Sequence, residues 1–288
     1  MKTPPVTTVK APAKVNLTLH VTGQRKDGYH LLDSLVVFAD GGDVIRAEAA
    51  DDLTLTVSGP FAEGVPTDHS NLILKAAQVL AKARGVTAGA ALHLEKNLPH
   101  AAGIGSGSSD AAATLKLLAD LWGVAPLSPD DPAVLGLGAD VPVCAAGPAP
   151  HRMSGIGEVL TPVPKLPEAA LVLVRPPVAV PTGPVFQGLA SKNGAPMQDI
   201  PAGLDFVHFA TWLAAQRNDL QMPAIGIAPV IGNVIDVLQA QSGVALAAMS
   251  GSGATCFGLL PDMTLAEAAA RKIKSAHPDW WASAARML

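Results

Sequence analysis

An α+β fold in two domains is what this sequence predicts, and three observations carry it. Strand-like and helix-like segments follow one another in mixed order, without the strict alternation of a parallel α/β sheet. The 288 residues include 27 glycines and 25 prolines, a turn density that a helical bundle does not sustain. At that length, with 49% hydrophobic residues, the chain can fill two cores of ordinary size. The proline-rich run Thr161-Pro162-Val163-Pro164-Lys165-Leu166-Pro167 is the expected linker, dividing residues 1–160 from 161–288.

In chain order, apolar–polar alternation predicts strands over Val15–Val21 and Leu53–Val57. Apolar residues at helical spacing predict a helix over Leu72–Arg84, and Ala91–Leu94 is again strand-like. That strand leads into the glycine- and serine-rich run Pro99-His100-Ala101-Ala102-Gly103-Ile104-Gly105-Ser106-Gly107-Ser108-Ser109. Leu115, Leu117, Leu118 and Leu121 then predict a helix over Ser109–Trp122. Beyond the linker, Leu171–Val174 reads as a strand, and Ile225–Gln241 and Leu265–Ala276 read as helices. No internal repeat is visible.

The strand–loop–helix passage around the glycines suits an anionic phosphate. Gly103, Gly105 and Gly107 lack the Cβ atoms that would hold a ligand away from the main chain. The amides that open a helix have no intrahelical partner, and the positive end of the helix dipole adds to their pull on a polyphosphate. A plain surface loop capped by Ser108 or Ser109 would have the same composition. No Gly-x-x-x-x-Gly-Lys-Ser/Thr occurs, and Gly103-Ile104-Gly105-Ser106-Gly107 is not the dinucleotide fingerprint Gly-x-Gly-x-x-Gly. The protein-kinase signatures and the Gly-x-Ser-x-Gly nucleophile elbow are absent too.

Composition narrows the class further. The net charge is −4 and no long basic run exists, which argues against a nucleic-acid partner. The two cysteines, Cys144 and Cys256, are far apart, which fits a reducing compartment and argues against a structural zinc site. Met1–Thr8 has no apolar core of a signal peptide, and no window reaches the roughly 18 uninterrupted apolar residues of a membrane span. A cytoplasmic enzyme without a membrane partner is expected.

Three separated segments resemble the superfamily of galacto-, homoserine, mevalonate and phosphomevalonate kinases: Ala11-Pro12-Ala13-Lys14-Val15-Asn16-Leu17, the Pro99–Ala112 loop, and Met249-Ser250-Gly251-Ser252-Gly253-Ala254-Thr255. Thr22–Leu32, Gly138–Val143 and Pro181–Phe186 make the chain most similar to the branch acting on a cytidine-diphosphate-linked methylerythritol in non-mevalonate isoprenoid synthesis. The resemblance runs from residue 11 to about residue 260. It implies a two-domain kinase with an active-site cleft between the domains. Residues 1–160 would be the ATP-binding and catalytic part, with 161–288 contributing to substrate binding. It also implies ATP as co-substrate with Mg2+, a small-molecule acceptor phosphorylated on its 2-hydroxyl, and a monomer or homodimer.

The resemblance also assigns roles. An alcohol attacking a γ-phosphoryl group needs alignment, charge neutralisation and a proton acceptor. Asp140, between Gly138 and Val141-Pro142-Val143, matches the family's base, although a carboxylate there would also cap a turn or helix. Lys14 would hold Asp140 ionised and stabilise the transferring charge, and Asn16, two residues on, shares its strand face. For ATP, the match covers every residue from Pro99 to Ser109, together with Asn71, which also suits an N-cap. For the acceptor, it gives Tyr29 and Phe186 as rings flanking cytosine, His30 at the polar edge of the base, and Thr182 beside them. Ser106 stands where many relatives carry glycine, and it would either donate to phosphate or stiffen the loop. No clear carboxylate pair presents itself for Mg2+; Ser108 or Ser109 could assist, with water filling the shell. Another kinase of the superfamily, of homoserine or mevalonate type, and a non-catalytic ATP- or sugar-sensing protein are the alternatives.

Overall fold

A computed structural model describes residues 6–100 and 102–288. Its strands are β1 (Thr7–Asn16), β2 (His20–Gln24), β3 (His30–Ala50), β4 (Leu53–Ser58), β5 (Gly89–Glu95), β6 (His151–Gly155), β7 (Val159–Pro162), β8 (Ala170–Arg175), β9 (Leu246–Met249), β10 (Cys256–Leu260) and β11 (Trp281–Arg286). The helices are α1 (Leu72–Arg84), α2 (Ser106–Trp122), α3 (Pro132–Leu135), α4 (Val141–Ala145), α5 (Thr182–Gln187), α6 (Phe206–Ala214), α7 (Gln221–Ile227), α8 (Val230–Gln239) and α9 (Met263–Ala276). The fold is α+β, as expected.

The chain weaves two compact units and does not divide once near residue 160. Residues 6–13, Gly42–His100 and Gly105–Pro148 make the first, and Lys14–Gly41, residues 102–104 and Ala149–Leu288 the second. The Thr161–Pro167 run is no linker. It starts inside β7, which among the described residues pairs with β6 alone, and an outer strand is where a residue without an N–H is tolerated. Its prolines, with Met287 and Leu288, line a cavity of about 370 Å³ in the second unit.

In the first unit, β5 pairs in parallel with β4 and antiparallel with the second half of β3. Helices α1 and α2 pack on one another, and Ile45, Leu80, Leu94, Leu117 and Leu118 fill the core. Asn71 caps α1 by accepting from the Ile73 amide, and left-handed Gly85 closes it, so its bounds coincide with those read from the sequence. Helix α2 begins three residues earlier than expected. Its cap is Gly105, left-handed at φ 57°, with no side-chain capping hydrogen bond, so Ser106–Ser109 is the first turn of the helix and not loop.

In the second unit, the first half of β3 pairs with β2 and β6, and a separate antiparallel sheet runs in the order β11-β8-β10-β9. Helices α8 and α9 cover that sheet over a core that includes Val172, Val174, Ile231, Leu238 and Ile273. The strand expected over Val15–Val21 is broken. The Leu17 amide donates to Leu35 O and Leu19 bridges to Asn218, so the buried alternation continues while the ladder does not. The helix expected over Ile225–Gln241 is also split, because Pro229 forces α7 to stop and serves as the cap of α8. No described helix is long and apolar enough to cross a membrane.

Candidate active site

Each unit gathers one group of the expected residues. The first holds Asn71, Pro99, His100, Gly105–Ser109 and Asp140, and the second holds Lys14, Asn16, Tyr29, His30, residues 102–104, Thr182 and Phe186. The residues expected to meet the acceptor are therefore not confined to 161–288. Lys14 and His30 precede the expected boundary yet belong to the second unit, because β2 and the first half of β3 pair there. Ala101 lies outside the described residues.

In the first unit, the start of α2 at Gly105 has no side-chain cap, so no side chain satisfies its opening amides. Ser106 does not add a free donor to that turn: its hydroxyl donates to Pro99 O at 3.3 Å and stiffens the loop. Ser109 Oγ donates to Pro12 O at 2.7 Å, which leaves Ser108 as the hydroxyl of this turn with no hydrogen bond among the described residues. Around Gly107 an added Cβ would meet nothing of the described residues closer than Leu72 Cδ1 at 3.6 Å, so that face of the turn is open. Asn71 is engaged at both ends of its amide, accepting from Ile73 N at 2.9 Å and donating to Pro66 O at 2.7 Å. Asp140 stands in the N-cap position of α4 but makes no capping hydrogen bond, so the capping role that its neighbours allowed is not what it does.

The second unit explains Gly103 differently from the sequence. A Cβ there would lie 2.7 Å from Ser250 O and Gly253 O, so the close approach of the 250–253 loop by itself calls for glycine at this position. Ser250 Oγ donates to Gly103 O at 3.0 Å and accepts from Asn16 N at 3.0 Å, and Thr255 N donates to Ala102 O. Lys14, 3% exposed, donates from Nζ to Asn16 Oδ1 at 2.8 Å, and Asn16 Nδ2 donates to Ser34 Oγ at 2.8 Å. Ser34 in turn donates to Thr18 O. Lys14 is thus aimed by a buried relay. Neither Ser34 nor Thr18 is marked out by the sequence, where a lone strand hydroxyl carries no signal.

On the aromatic side, His30 and not Tyr29 meets Phe186, with ring centroids 4.6 Å apart at 22°. Tyr29 sits on the tight turn between β2 and β3 and is 58% exposed. His30 Nε2 is buried with no hydrogen-bond partner among the described residues. Burial first, and then Lys192, hold the His30 ring below the usual imidazole range, which favours its neutral form. Thr182 Oγ1 lies 3.0 Å from Ser252 Oγ, joining the start of α5 to the 250–253 loop.

A profile described as GHMP kinases N terminal domain matches residues 71–148, and one described as GHMP kinases C terminal matches 205–279. The chain belongs to the GHMP kinases. Among members of this family, it is 56% identical over 280 residues to the 4-diphosphocytidyl-2-C-methyl-D-erythritol kinase of Cereibacter sphaeroides (strain ATCC 17029 / ATH 2.4.9), covering 96% of this chain and 98% of the relative. A crystal structure of 4-(cytidine 5'-diphospho)-2C-methyl-D-erythritol kinase superposes with a TM-score of 0.78 at 31% identity, covering 97% and 98% of the two chains. A homoserine kinase from Cytophaga hutchinsonii ATCC 33406, at 16% identity and a TM-score of 0.69 over 98% and 94%, shares the GHMP kinase fold. As in other kinases of this family, ATP is the co-substrate. Among the described residues of this GHMP kinase, no group of three or more His, Cys, Asp or Glu is placed to hold a metal ion.

Proposed function

We propose that this chain transfers the γ-phosphoryl group of ATP to the 2-hydroxyl of 4-diphosphocytidyl-2-C-methyl-D-erythritol, giving the 2-phosphate and ADP in isoprenoid precursor biosynthesis. A new P–O bond forms to the acceptor oxygen, the bond from the γ-phosphorus to the β,γ-bridging oxygen breaks, and the hydroxyl proton passes to Asp140. Lys14, held by Asn16, supplies positive charge to the attacking and transferring oxygens. The α2 amides and the 99–109 loop hold the ATP phosphates, and Asn71 stands on the adenine side. Mg2+ would accompany the nucleotide and neutralise phosphate charge, with the Ser108 hydroxyl as the residue that would help hold it.

The observation that carries the acceptor's identity is His30. Its ring rests on Phe186 and its buried Nε2 lacks a partner, an arrangement that costs stability unless a ligand's polar edge completes it. Cytosine flanked by Tyr29 and Phe186 supplies that edge. The deciding experiment is ATP consumption with the cytidylylated substrate against the same sugar phosphate without its cytidine half; turnover is expected with the first alone. Asp140→Asn should keep ATP binding and lower turnover by about 10²- to 10⁴-fold. Near wild-type turnover in that variant removes Asp140 from the mechanism.

A further inference from the structure

Below the phosphate loop of the first unit lies a group of three charges that the proposed chemistry does not use. Lys96, just past β5, places Nζ 2.5 Å from Asp43 Oδ2 and 2.6 Å from Asp110 Oδ2. The three residues are 2%, 0% and 3% exposed. Asp43 also uses its other oxygen, accepting from the Asn97 amide at 2.6 Å and the Leu98 amide at 2.8 Å, the last two donors before Pro99. Asp110 follows Ser109 in α2. Lys96 is itself fixed through its main chain: its N–H donates to Ser58 O at 2.7 Å and its carbonyl accepts from Phe61 N at 3.1 Å. A Cβ on Gly59 would fall 2.6 Å from Lys96 O, so the two backbones pass in close contact here.

Stability does not account for such a cluster. Desolvating three charges costs more than apolar packing of the same volume, and a buried ion group is as a rule neutral or worse for the fold. Nor are its polar atoms all satisfied, since Asp110 Oδ1 is buried with no hydrogen-bond partner among the described residues. What the cluster does supply is register. It ties the entry to the loop that starts at Pro99, at Asn97 and Leu98, to the helix that the loop feeds, at Asp110, and to β3 at Asp43.

We infer that Lys96, Asp43 and Asp110 are positioning residues for the phosphate loop, setting where the opening amides of α2 stand relative to the chain that enters it. The inference rests on the reading of Pro99–Ser109 as the ATP phosphate site. Its protonation is consistent with that place. Burial, opposed by Lys96 and reinforced by Asp43, the charged groups that face it, pushes the Asp110 carboxyl up to about 7. A second full negative charge is therefore disfavoured next to a site for a polyanion.

Steady-state kinetics on the full chain test this with Lys96→Met, Asp43→Asn and Asp110→Asn, with Gly105→Val as the control for the loop itself. Lys96→Met should raise the KM for ATP about 10-fold or more, because small displacements of binding groups carry large penalties, and leave the KM for the cytidylylated acceptor within about 2-fold. Asp43→Asn, which keeps an oxygen for the two amides but loses the ion pair, should do the same to a smaller extent. Asp110→Asn preserves the shape and an oxygen for Lys96, and should move the KM for ATP least. A lowered melting temperature with neither KM changed, or equal changes in both, would make the cluster merely structural and overturn the inference. If Lys96→Met does not fold, Asp43→Asn decides by the same criterion. Gly105→Val separates the two ideas. Lost ATP affinity in that variant, with no effect of the cluster variants on the KM for ATP, overturns the positioning role alone, whereas unchanged ATP affinity overturns the loop reading and this inference with it.

Discussion

Lys96 in the first unit and Arg152 in the second each meet two aspartates, and the two clusters behave in opposite ways. Around Lys96 one compact ammonium is shared between Asp43 and Asp110, and an oxygen of Asp110 is left over. Around Arg152 a planar fork takes both oxygens of Asp33, Nε to Oδ1 at 2.8 Å and Nη2 to Oδ2 at 2.7 Å, with further bonds to Met197 O and Asp199. The Met197 amide adds a third donor to Asp33 at 2.9 Å. The carboxyl shifts follow. Burial raises Asp110 beyond what Lys96 can offset, whereas for Asp33 the bonds from Arg152 and Met197 together outweigh burial and hold it below the usual carboxylate range. A guanidinium satisfies a buried carboxylate by geometry; an ammonium facing two of them cannot.

The largest effect expected from this contrast is on Lys96→Met, which strands two buried carboxylates and should cost about 3–5 kcal/mol in urea denaturation. Arg152→Met leaves Asp33 with its Met197 amide donor, so about 1–3 kcal/mol is expected. A larger loss at Arg152 would reverse the ranking and with it the distinction between the clusters.

The next effect is one of sign. Asp110 binds its proton more tightly in the folded chain than in the unfolded one, so between the ordinary value of 3.8 and about 7 its contribution to stability falls as pH rises. Asp33 does the reverse: its contribution is present above 3.8 and is lost as pH falls through its lowered folded value. Urea midpoints across pH 3–8 should therefore lose their neutral-side decline in Asp110→Asn and their acid-side decline in Asp33→Asn. An unchanged profile in either variant removes that carboxyl from the account. Smallest of all is Asp199→Ala. That side chain is 98% exposed, and its loss should leave the urea midpoint within experimental error, sharpening the point that Asp33 carries the second cluster.

Much of this was legible in the residues. Asn71 and Gly85 mark both ends of α1 because caps are local chemistry. Lys14 and Asn16 fall together because a strand alternates, and the same period-2 pattern aligns Lys96 with Leu92, Leu94 and Leu98, a sign of burial that its polar neighbours Glu95 and Asn97 obscure. The start of α2 was misplaced because the cap is a left-handed glycine, when three serines downstream offered themselves. The weave of the two units was not legible at all, since it depends on which distant strands pair. Nor was the contact of His30 with Phe186, which joins a hairpin to a helix 156 residues on in the numbering and leaves no local trace.

That weave bears on how the protein comes into being. All residues of the first unit are out once Pro148 has left the ribosome, whereas Lys14–Gly41 belong to a unit completed by Ala149–Leu288. Asn16 waits for Ser250, 234 residues behind it, Leu19 for Asn218, and Asp33 for Arg152. The second unit, to which the proposed acceptor residues belong, is thus assembled last, from strands made first. A nascent chain must keep β2 and half of β3 from pairing wrongly for most of its synthesis, the interval in which chaperones have the most to hold.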